Sequence, residues 1–291
     1  MRGYLAQFLS DPRVIGLPRW LWLPILHGYV LRTRPARSAK KYAAIWTPRG
    51  SPLAVHTKQQ SLLLGKALAE RSIKVAYAMR YGQPDIEEGL QSLSGCEVTV
   101  VPLYPQFSRS ATESVRDELG KRDAAGIRFI ESFHDHPAYI AALAALVQRH
   151  WAAHGKGEKL VMSFHGLPQR AVDQGDPYHK QCLATAKVLA GSLRIAPADY
   201  SVTFQSRFGA AQWLQPYTEP VLVALARGGA RRVDVICPGF VSDCLETLEE
   251  IGIEARRAFL GAGGREFHAL PCLNESPEWI SGIAKIIDSS S

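Results

Sequence analysis

A histidine follows closely after a short apolar run, at a point where the chain turns. Residues 160–162 are apolar, His165 comes three positions later, and the turn residues Gly166 and Pro168 follow it. Such a run is typical of a buried parallel strand, and ligands bind at the edge of an α/β sheet where these strands end. A neutral imidazole there can bind a metal ion or carry a proton. The alternative is a histidine that simply caps a strand and is satisfied by backbone groups.

Three glutamates recur at a spacing of four residues. On a predicted helix over residues 243–259, that spacing aligns Glu246, Glu250 and Glu254 along one side. Like charges so placed disfavour a helix, so the pattern favours a compensating divalent cation or a relay for protons. The structural alternative is a capping box, because Asp243 precedes Glu246 by three residues, followed by a solvated acidic face.

The elements that would position these residues alternate regularly along the chain. The rhythm of strand and helix predicts parallel, right-handed βαβ units in an α/β fold. We expect an N-terminal lobe over residues 1–150, a C-terminal lobe over 151–275 and a last helix over 276–291, with a hinge near 151–157. The strands are predicted at residues 41–47, 73–79, 97–103, 127–133, 160–163, 200–204, 232–237 and 266–270. Helices are predicted at residues 57–71, 85–93, 110–121, 137–150, 177–193, 243–259 and 277–287, with helical segments up to 226.

Composition narrows the class of protein. The chain has 291 residues, 46% hydrophobic and 21% charged, an ordinary globular balance that is ample for a core. Its net charge of +7 is spread without a long basic run, so a nucleic-acid partner is not indicated. The glycine-rich turn at 261–264 does not lead from a strand into a helix, so no nucleotide cofactor is expected.

Two further features bear on the compartment. The five cysteines are scattered without a CxxC pair, which indicates reduced thiols in the cytosol. No segment has the eighteen or so apolar residues that a membrane span requires. The nearest is 17–31, interrupted by Pro18, Arg19, Pro24 and His27. Its Trp and Leu content suits either a loop that dips into a membrane interface or a lip that packs on its own domain.

Residues 163–168 follow the order Ser, any residue, His, Gly, aliphatic, Pro, and Gly-Asp-Pro-Tyr stands at 175–178. This order of residue types resembles the signature of the ferrochelatases. The resemblance implies two Rossmann-like, chelatase-type lobes with parallel sheets flanked by helices. It also implies an enzyme that inserts ferrous iron into protoporphyrin IX at a cleft between lobes. The products would be protoheme and two protons, in the last step of heme biosynthesis.

The resemblance also implies roles for particular residues. His165 and Glu246 correspond to the family's catalytic pair, which lies on opposite faces of the porphyrin. Glu250 and Glu254 line the same helix as Glu246. The expected metal ligands are these four side chains. Cys244 stands where some relatives have a second histidine, whose role is therefore not transferred. Residues resembling the porphyrin pocket are Arg80, Tyr81, Tyr104, Ser206 and Trp213, for which ordinary surface or core positions are the alternative.

The same resemblance has implications for the cofactor, the partners and the location of the protein. Some ferrochelatases hold an iron–sulfur cluster on four cysteines, but the cysteines here form no clustered set, so we expect no cofactor beyond the iron substrate. Residues 17–31 resemble the family's flexible lip over the porphyrin, which can face a membrane. We therefore expect a cytoplasmic protein, with peripheral contact to the inner membrane as an open alternative.

The resemblance covers residues 4–287. Family members open with a strand ending in Asn-Leu-Gly-Thr-Pro, whereas residues 1–5 resemble the helix after it, so we expect that first strand to be missing and its neighbours unpaired. Coproporphyrin is an alternative substrate. A tetrapyrrole or metal carrier without turnover is the alternative from another class, and tight porphyrin binding without metal insertion would distinguish it.

Overall fold

The computed structural model describes residues 1–15, 18–120 and 126–289, which form two compact units. Unit 1 comprises residues 1–102 and 108–131, and unit 2 comprises residues 103–107 and 132–291. Helix α7 and the segment 103–107 pack within unit 2, and the domain boundaries expected at residues 150 and 275 stay predictions.

Unit 1 is mainly helical. A π-helical turn, Leu26–Val30, joins two of its helices, and a 3-10 turn, Ala69–Arg71, follows another. Helix α5 (Ile86–Ser92) begins with a capping box, in which Asp85 and Glu88 each accept from the other's backbone N–H. The helices are α1 (Arg2–Leu9), α2 (Arg19–Ile25), α3 (Leu31–Ile45), α4 (Pro52–Ala67), α5 (Ile86–Ser92) and α6 (Thr112–Gly120).

The strands of unit 1 are much shorter than predicted. Among its described residues, β1 (Thr99–Val100) and β2 (Arg128–Phe129) form a parallel pair within the predicted strands 97–103 and 127–133. The strand predicted at 41–47 is wrong, because residues up to Ile45 continue α3, which the alanines Ala43 and Ala44 favour. The strand predicted at 73–79 is also wrong, since this segment enters no ladder.

Unit 2 contains a four-stranded parallel sheet in the order β4–β3–β5–β6. All four strands were predicted at these places, and their apolar residues are buried because helices cover a parallel sheet. Val161, Val233 and Val235 are fully buried and pack with Leu222 and Phe259 from the helices. The strands are β3 (Lys159–His165), β4 (Tyr200–Gln205), β5 (Arg232–Ile236) and β6 (Glu266–Ala269).

The helices of unit 2 also lie close to their predicted positions. The expected hinge near 151–157 is wrong in its first half, because α7 extends to His154 and ends at Gly155, which has a φ of 79°. The helices are α7 (Pro137–His154), α8 (Gln169–Asp173), α9 (Tyr178–Leu193), α10 (Thr218–Arg227), α11 (Arg256–Gly261) and α12 (Pro277–Ser289).

The predicted helix 243–259 differs in type. Its first part, Glu246–Ala255, is a π-helix that continues into α11. A π-helix bonds each N–H one residue further back than an α-helix, and such segments occur often at functional sites. The three glutamates therefore lie on a wider helix than the α-helix that their spacing predicts.

Among the residues that the structure describes, no helix is both long and apolar enough to cross a membrane. The predicted lip 17–31 forms α2 and the π-helical turn, apart from Leu17, which lies outside the described residues. Leu26 is fully buried, whereas Trp20 and Tyr29 are exposed by 78% and 67%. The segment thus packs on unit 1 and also presents apolar side chains to its surroundings.

Candidate active site

His165 is the last residue of β3 and is half-buried. Its Nδ1 lies 2.6 Å from the carbonyl oxygen of Gly166. A carbonyl can only accept, so Nδ1 carries the proton in the neutral ring and donates to Gly166. The lone pair is then on Nε2, which can bind a metal ion or accept a proton.

Gly166 allows the chain to turn directly after this histidine. Its N–H donates to the carbonyl oxygen of Gln205 over 2.7 Å. A Cβ at position 166 would lie 2.6 Å from that oxygen and 3.2 Å from the Trp213 ring. The end of β3, the end of β4 and Trp213 therefore meet at a place where only glycine fits.

Gln205 precedes the predicted pocket residue Ser206, in a segment that resembles a pocket-lining motif of the family, and the structure gives it a positioning role. It is buried at the end of β4, where its Oε1 accepts from Ser163 Oγ over 2.5 Å. Its Nε2 donates to the backbone carbonyl oxygen of Glu246 over 2.9 Å. Gln205 thus fixes the first turn of the π-helix to the two strand ends. The signal in the sequence was a polar residue at the end of the predicted strand that follows the strand of His165 along the chain.

Glu250 is held by the residue that follows β4. Its two carboxylate oxygens accept from the backbone N–H and the Oγ of Ser206, over 2.6 and 2.5 Å. Ser206 has a φ of 65°, a left-handed conformation that a non-glycine residue seldom adopts and that aims both donors at one carboxylate. Ser206 is a predicted porphyrin-pocket residue, and in the structure its hydroxyl donates to Glu250.

Burial raises the pKa of Glu250. The two hydrogen bonds from Ser206 and the nearby His165 act in the opposite direction, and the charge of Glu246 adds to the rise. Glu250 therefore lies within electrostatic range of both His165 and Glu246. Glu246 and Glu254 are both half-buried on the same π-helix.

The predicted capping box at Asp243 is absent. The π-helix has no side-chain cap, and Asp243 instead accepts from Thr247 Oγ1, from the Cys272 N–H and from Asn274 Nδ2, over 2.9, 3.2 and 2.7 Å. Asp243 is thus a structural anchor between the helix start and the segment after β6. Cys244 is buried beside Glu246, whose charge adds to the effect of burial in raising the pKa of this thiol.

Arg80 and Tyr81 lie in unit 1 and share one partner, Asp11. Arg80 Nη2 and the Tyr81 hydroxyl donate to Asp11 Oδ2 over 2.6 and 2.8 Å, and Arg80 Nε donates to Ser114 Oγ over 2.7 Å. The arginine is therefore already paired with a carboxylate. Sequence reasoning missed Asp11, which stands in a segment of mixed character with no motif around it.

The other two predicted pocket aromatics belong to unit 2. Trp213 donates from Nε1 to the carbonyl oxygen of Phe208 over 2.8 Å, so its ring is fixed beside the turn after His165. Tyr104 is 37% exposed in the segment 103–107. That segment is attached to α9 through the Phe107 N–H, which donates to Gln181 Oε1 over 2.6 Å.

Solved structures of similar fold identify the class of protein. SirB from Bacillus subtilis with Fe³⁺ matches with a TM-score of 0.59 at 14% identity, covering 83% of this chain and 92% of that one. The sirohydrochlorin chelatase SirB from Bacillus subtilis subspecies spizizenii, in complex with cobalt, matches with a TM-score of 0.53 at 12% identity, covering 80% and 88%. The chain has a chelatase fold.

The sequence comparisons give the family. The ferrochelatase family model matches residues 1–291. The ferrochelatase of Azoarcus sp. strain BH72 is 55% identical over 99% of this chain and 82% of its own length. That of Bordetella pertussis is 50% identical over the same shares. The chain belongs to the ferrochelatase family and is a metal-chelating enzyme, as its signature at 163–178 predicted.

Proposed function

We propose that this enzyme inserts ferrous iron into protoporphyrin IX, giving protoheme and two protons. The observation that supports the proposal most strongly is the state of His165, whose Nδ1 is bound to a carbonyl and whose Nε2 is left to act as base or ligand. The carboxylate of Glu250 lies within its electrostatic range, and that of Glu246 lies within the range of Glu250. Insertion needs both kinds of group, because two pyrrole protons must leave as a hydrated metal ion enters.

The residues divide this work as follows. His165 and Glu246 are the catalytic pair, and both, with Glu250 and Glu254, form the path along which the metal ion or the protons move. Glu250 suits proton transfer, because its raised pKa brings it closer to the pH at which a carboxylate both takes up and releases a proton. Ser206 acts through Glu250, which it orients, rather than as a direct porphyrin contact.

The porphyrin contacts come from aromatic and cationic side chains. Trp213, fixed beside the turn after His165, and the exposed Tyr104 supply apolar surface for a macrocycle. Arg80 and Tyr81 remain proposed pocket residues, although the pairing with Asp11 leaves little of the arginine charge for a propionate. We propose no iron–sulfur cluster, because the five cysteines form no clustered set in the sequence.

We also propose that the segment 18–31 contacts a membrane surface peripherally. Its exposed apolar side chains stand on one short stretch while Leu26 anchors it to unit 1, an arrangement that suits an interfacial segment. The exposed residues are Trp20, Leu21, Ile25 and Tyr29. Binding of the chain to anionic vesicles, lost in a Trp20→Ser and Tyr29→Ser double variant, is the expected result.

An anaerobic metallation assay tests the enzymatic proposal. Loss of protoporphyrin fluorescence is followed on adding ferrous iron, with zinc in parallel and coproporphyrin as second substrate. We expect insertion by the unchanged chain and a loss of about 10²-fold or more in His165→Ala, as for removal of a general base or metal ligand. Porphyrin binding, measured by quenching without metal, should persist in that variant.

His136→Asn is the matched control. His136 caps α7 through its Nδ1, and asparagine can supply the same cap, so metallation should not change. If His165→Ala retains full activity, the assigned roles are wrong. If the unchanged chain binds porphyrin but never metallates it, the carrier is the correct reading. Faster turnover of coproporphyrin would reassign the substrate alone.

A further inference from the structure

A second group of metal-ligating side chains lies in unit 2, away from His165. His150, from the last turns of α7, Asp234 of β5 and His268 of β6 each offer one ligand atom, and these atoms lie within 4.8 Å of one another. Asp234 pairs with Leu160, at the start of β3, whereas His165 ends that strand. Five strand residues separate the two levels, a distance of roughly 16 Å.

One oxygen of the Asp234 carboxylate is held by two donors, and the other faces an imidazole and a guanidinium. Its Oδ2 accepts from Trp151 Nε1 and from the Gly157 N–H, over 2.7 and 2.8 Å. Its Oδ1 lies 3.7 Å from His150 Nε2 and 3.4 Å from Arg232 Nη2. A carboxylate oriented through one oxygen, with the other facing an imidazole, is the usual arrangement of a supported metal ligand.

His150 Nε2 is the least explained atom of the group. It is buried, and within the described part of the chain it has no hydrogen-bond partner, since 3.7 Å to Asp234 is too long. A buried nitrogen without a partner is costly unless something binds it.

A third imidazole stands beside the group. His154 is four residues after His150 on α7, and their rings stack at 4.7 Å between centroids. Its ring also lies 5.5 Å from that of His268. Two histidines four residues apart on a helix face the same way and form a common metal-binding pair, so His154 can supply a fourth ligand.

We propose that this cluster, His150–Asp234–His268 with His154 beside it, binds one divalent transition-metal ion of the zinc type. Nitrogen ligands select zinc and its neighbours over magnesium or calcium, which require oxygen. Ligand atoms of a tetrahedral zinc site lie roughly 3.3 Å apart, so the rings move inward on binding. His268 has that freedom on the half-buried edge strand β6, and Arg232 Nη2 also donates to the Gly155 carbonyl oxygen over 2.6 Å, which keeps it partnered when a metal ion takes Asp234 Oδ1. The bound ion would tie α7 to β5 and β6, independently of porphyrin metallation.

Zinc binding by the full chain tests the site. The measurement is made in a His165→Ala background, so that the active site contributes less, by dialysis against zinc with a competing chelator. We expect one equivalent bound, and a loss of at least tenfold in affinity on adding His268→Ala. His268→Asn is a second variant should alanine disturb β6, and His136→Asn, at the other end of α7, should bind as before. Magnesium should not compete.

Thermal unfolding gives an independent readout. At a hundredfold excess of zinc over its dissociation constant, the melting temperature should rise by roughly 5 °C or more, and His268→Ala should abolish the rise. With His165 intact, His268→Ala should metallate porphyrin at the unchanged rate. The proposal is overturned if zinc affinity and melting temperature are the same with and without His268, or if magnesium displaces the zinc.

Discussion

Two carboxylates, one in each unit, share two kinds of hydrogen-bond donor but have pKa values shifted in opposite directions. Asp11 in unit 1 and Glu250 in unit 2 each accept from a serine hydroxyl over 2.5 Å and from a backbone N–H. The pKa of Asp11 is lowered. Burial raises it, but the Ser114 hydroxyl, the Arg13 N–H, the Tyr81 hydroxyl and the Arg80 charge together outweigh burial. The pKa of Glu250 is raised, because there burial outweighs its donors.

The difference lies first in the hydrogen bonds and then in the neighbouring charge. Asp11 accepts a further hydrogen bond from the Tyr81 hydroxyl and has Arg80 at 2.6 Å, whereas Glu250 has a histidine and a second glutamate as neighbours. At Asp11 three hydrogen bonds and a fixed cation together outweigh burial, and at Glu250 two hydrogen bonds and the histidine do not. The compensated carboxylate holds unit 1 together, and the uncompensated one stays available to a proton or a metal ion, which is what the reaction needs.

Removing Asp11 should have the largest effect. Asp11→Ala leaves Arg80, whose side chain is only 13% exposed, without its nearest counter-charge, and should destabilise the chain by about 3–5 kcal/mol. Urea unfolding at neutral pH measures this. Asp117→Ala is the matched control, because Asp117 also pairs with an arginine, Arg13, but at the surface, and it should cost less than about 1 kcal/mol.

A rescue variant separates charge from packing. Adding Arg80→Met to Asp11→Ala should restore part of the stability, since an apolar side chain needs no partner. Equal costs for Asp11→Ala and Asp117→Ala would contradict the comparison and make Asp11 an ordinary surface carboxylate.

The sequence predicted unit 2 far better than unit 1. Each strand of unit 2 has a hydrogen-bonded neighbour on at least one side and buries apolar residues, so local pattern and pairing agree. In unit 1, residues 73–79 have a strand-like pattern but no ladder, and 41–45 join a helix. An apolar run indicates burial and a preference for extended backbone. A strand also requires a neighbouring strand to pair with, and a short stretch of sequence does not contain that information.

The site was predictable only in part. His165 and the glutamates stand in recognisable patterns, so they could be found from the sequence. The connection between Ser206 and Glu250 joins residues far apart in the chain and depends on a left-handed serine and a π-helix, neither of which leaves a sequence signal. Gln205 likewise acts through contacts rather than through a motif.

Gly166→Ala should have the next largest effect. It tests whether the hydrogen bonds from Ser206 to Glu250 depend on the positions of the ends of β3 and β4. The new Cβ would meet the Gln205 carbonyl oxygen at 2.6 Å, so β3 and β4 must separate there, at a cost of about 1–3 kcal/mol. Because Ser206 follows Gln205, metallation should fall at least tenfold. Gly191→Ala in α9, where nothing lies within 4 Å, should instead stabilise by about 0.5–1 kcal/mol. Similar effects of both substitutions would show that the close approach does not matter.

The smallest expected effect is on stability in Glu250→Gln, and its sign is the sharpest test of the comparison. A carboxyl group whose pKa is raised on folding stabilises the folded state only while it is protonated. Its contribution to the free energy of unfolding is therefore lost as pH rises from the ordinary pKa of 4.5 towards the raised pKa of the folded state. Glutamine mimics the protonated form and can still bond Ser206. Glu250→Gln should therefore melt at a higher temperature than the unchanged chain at neutral pH, and the gap should close as pH falls towards 4.5. Metallation should fall throughout.

Asp11 has the opposite sign, because its lowered pKa gives stability that is present above 3.8 and is lost as pH falls below that value. Glu278→Gln is the control within unit 2. Its hydrogen bond with Arg149 lowers the pKa of Glu278, so glutamine there should not raise the melting temperature at any pH. If Glu250→Gln instead melts lower at neutral pH, Glu250 is a compensated structural carboxylate like Asp11. The proton-transfer role proposed for it would then lose its physical basis.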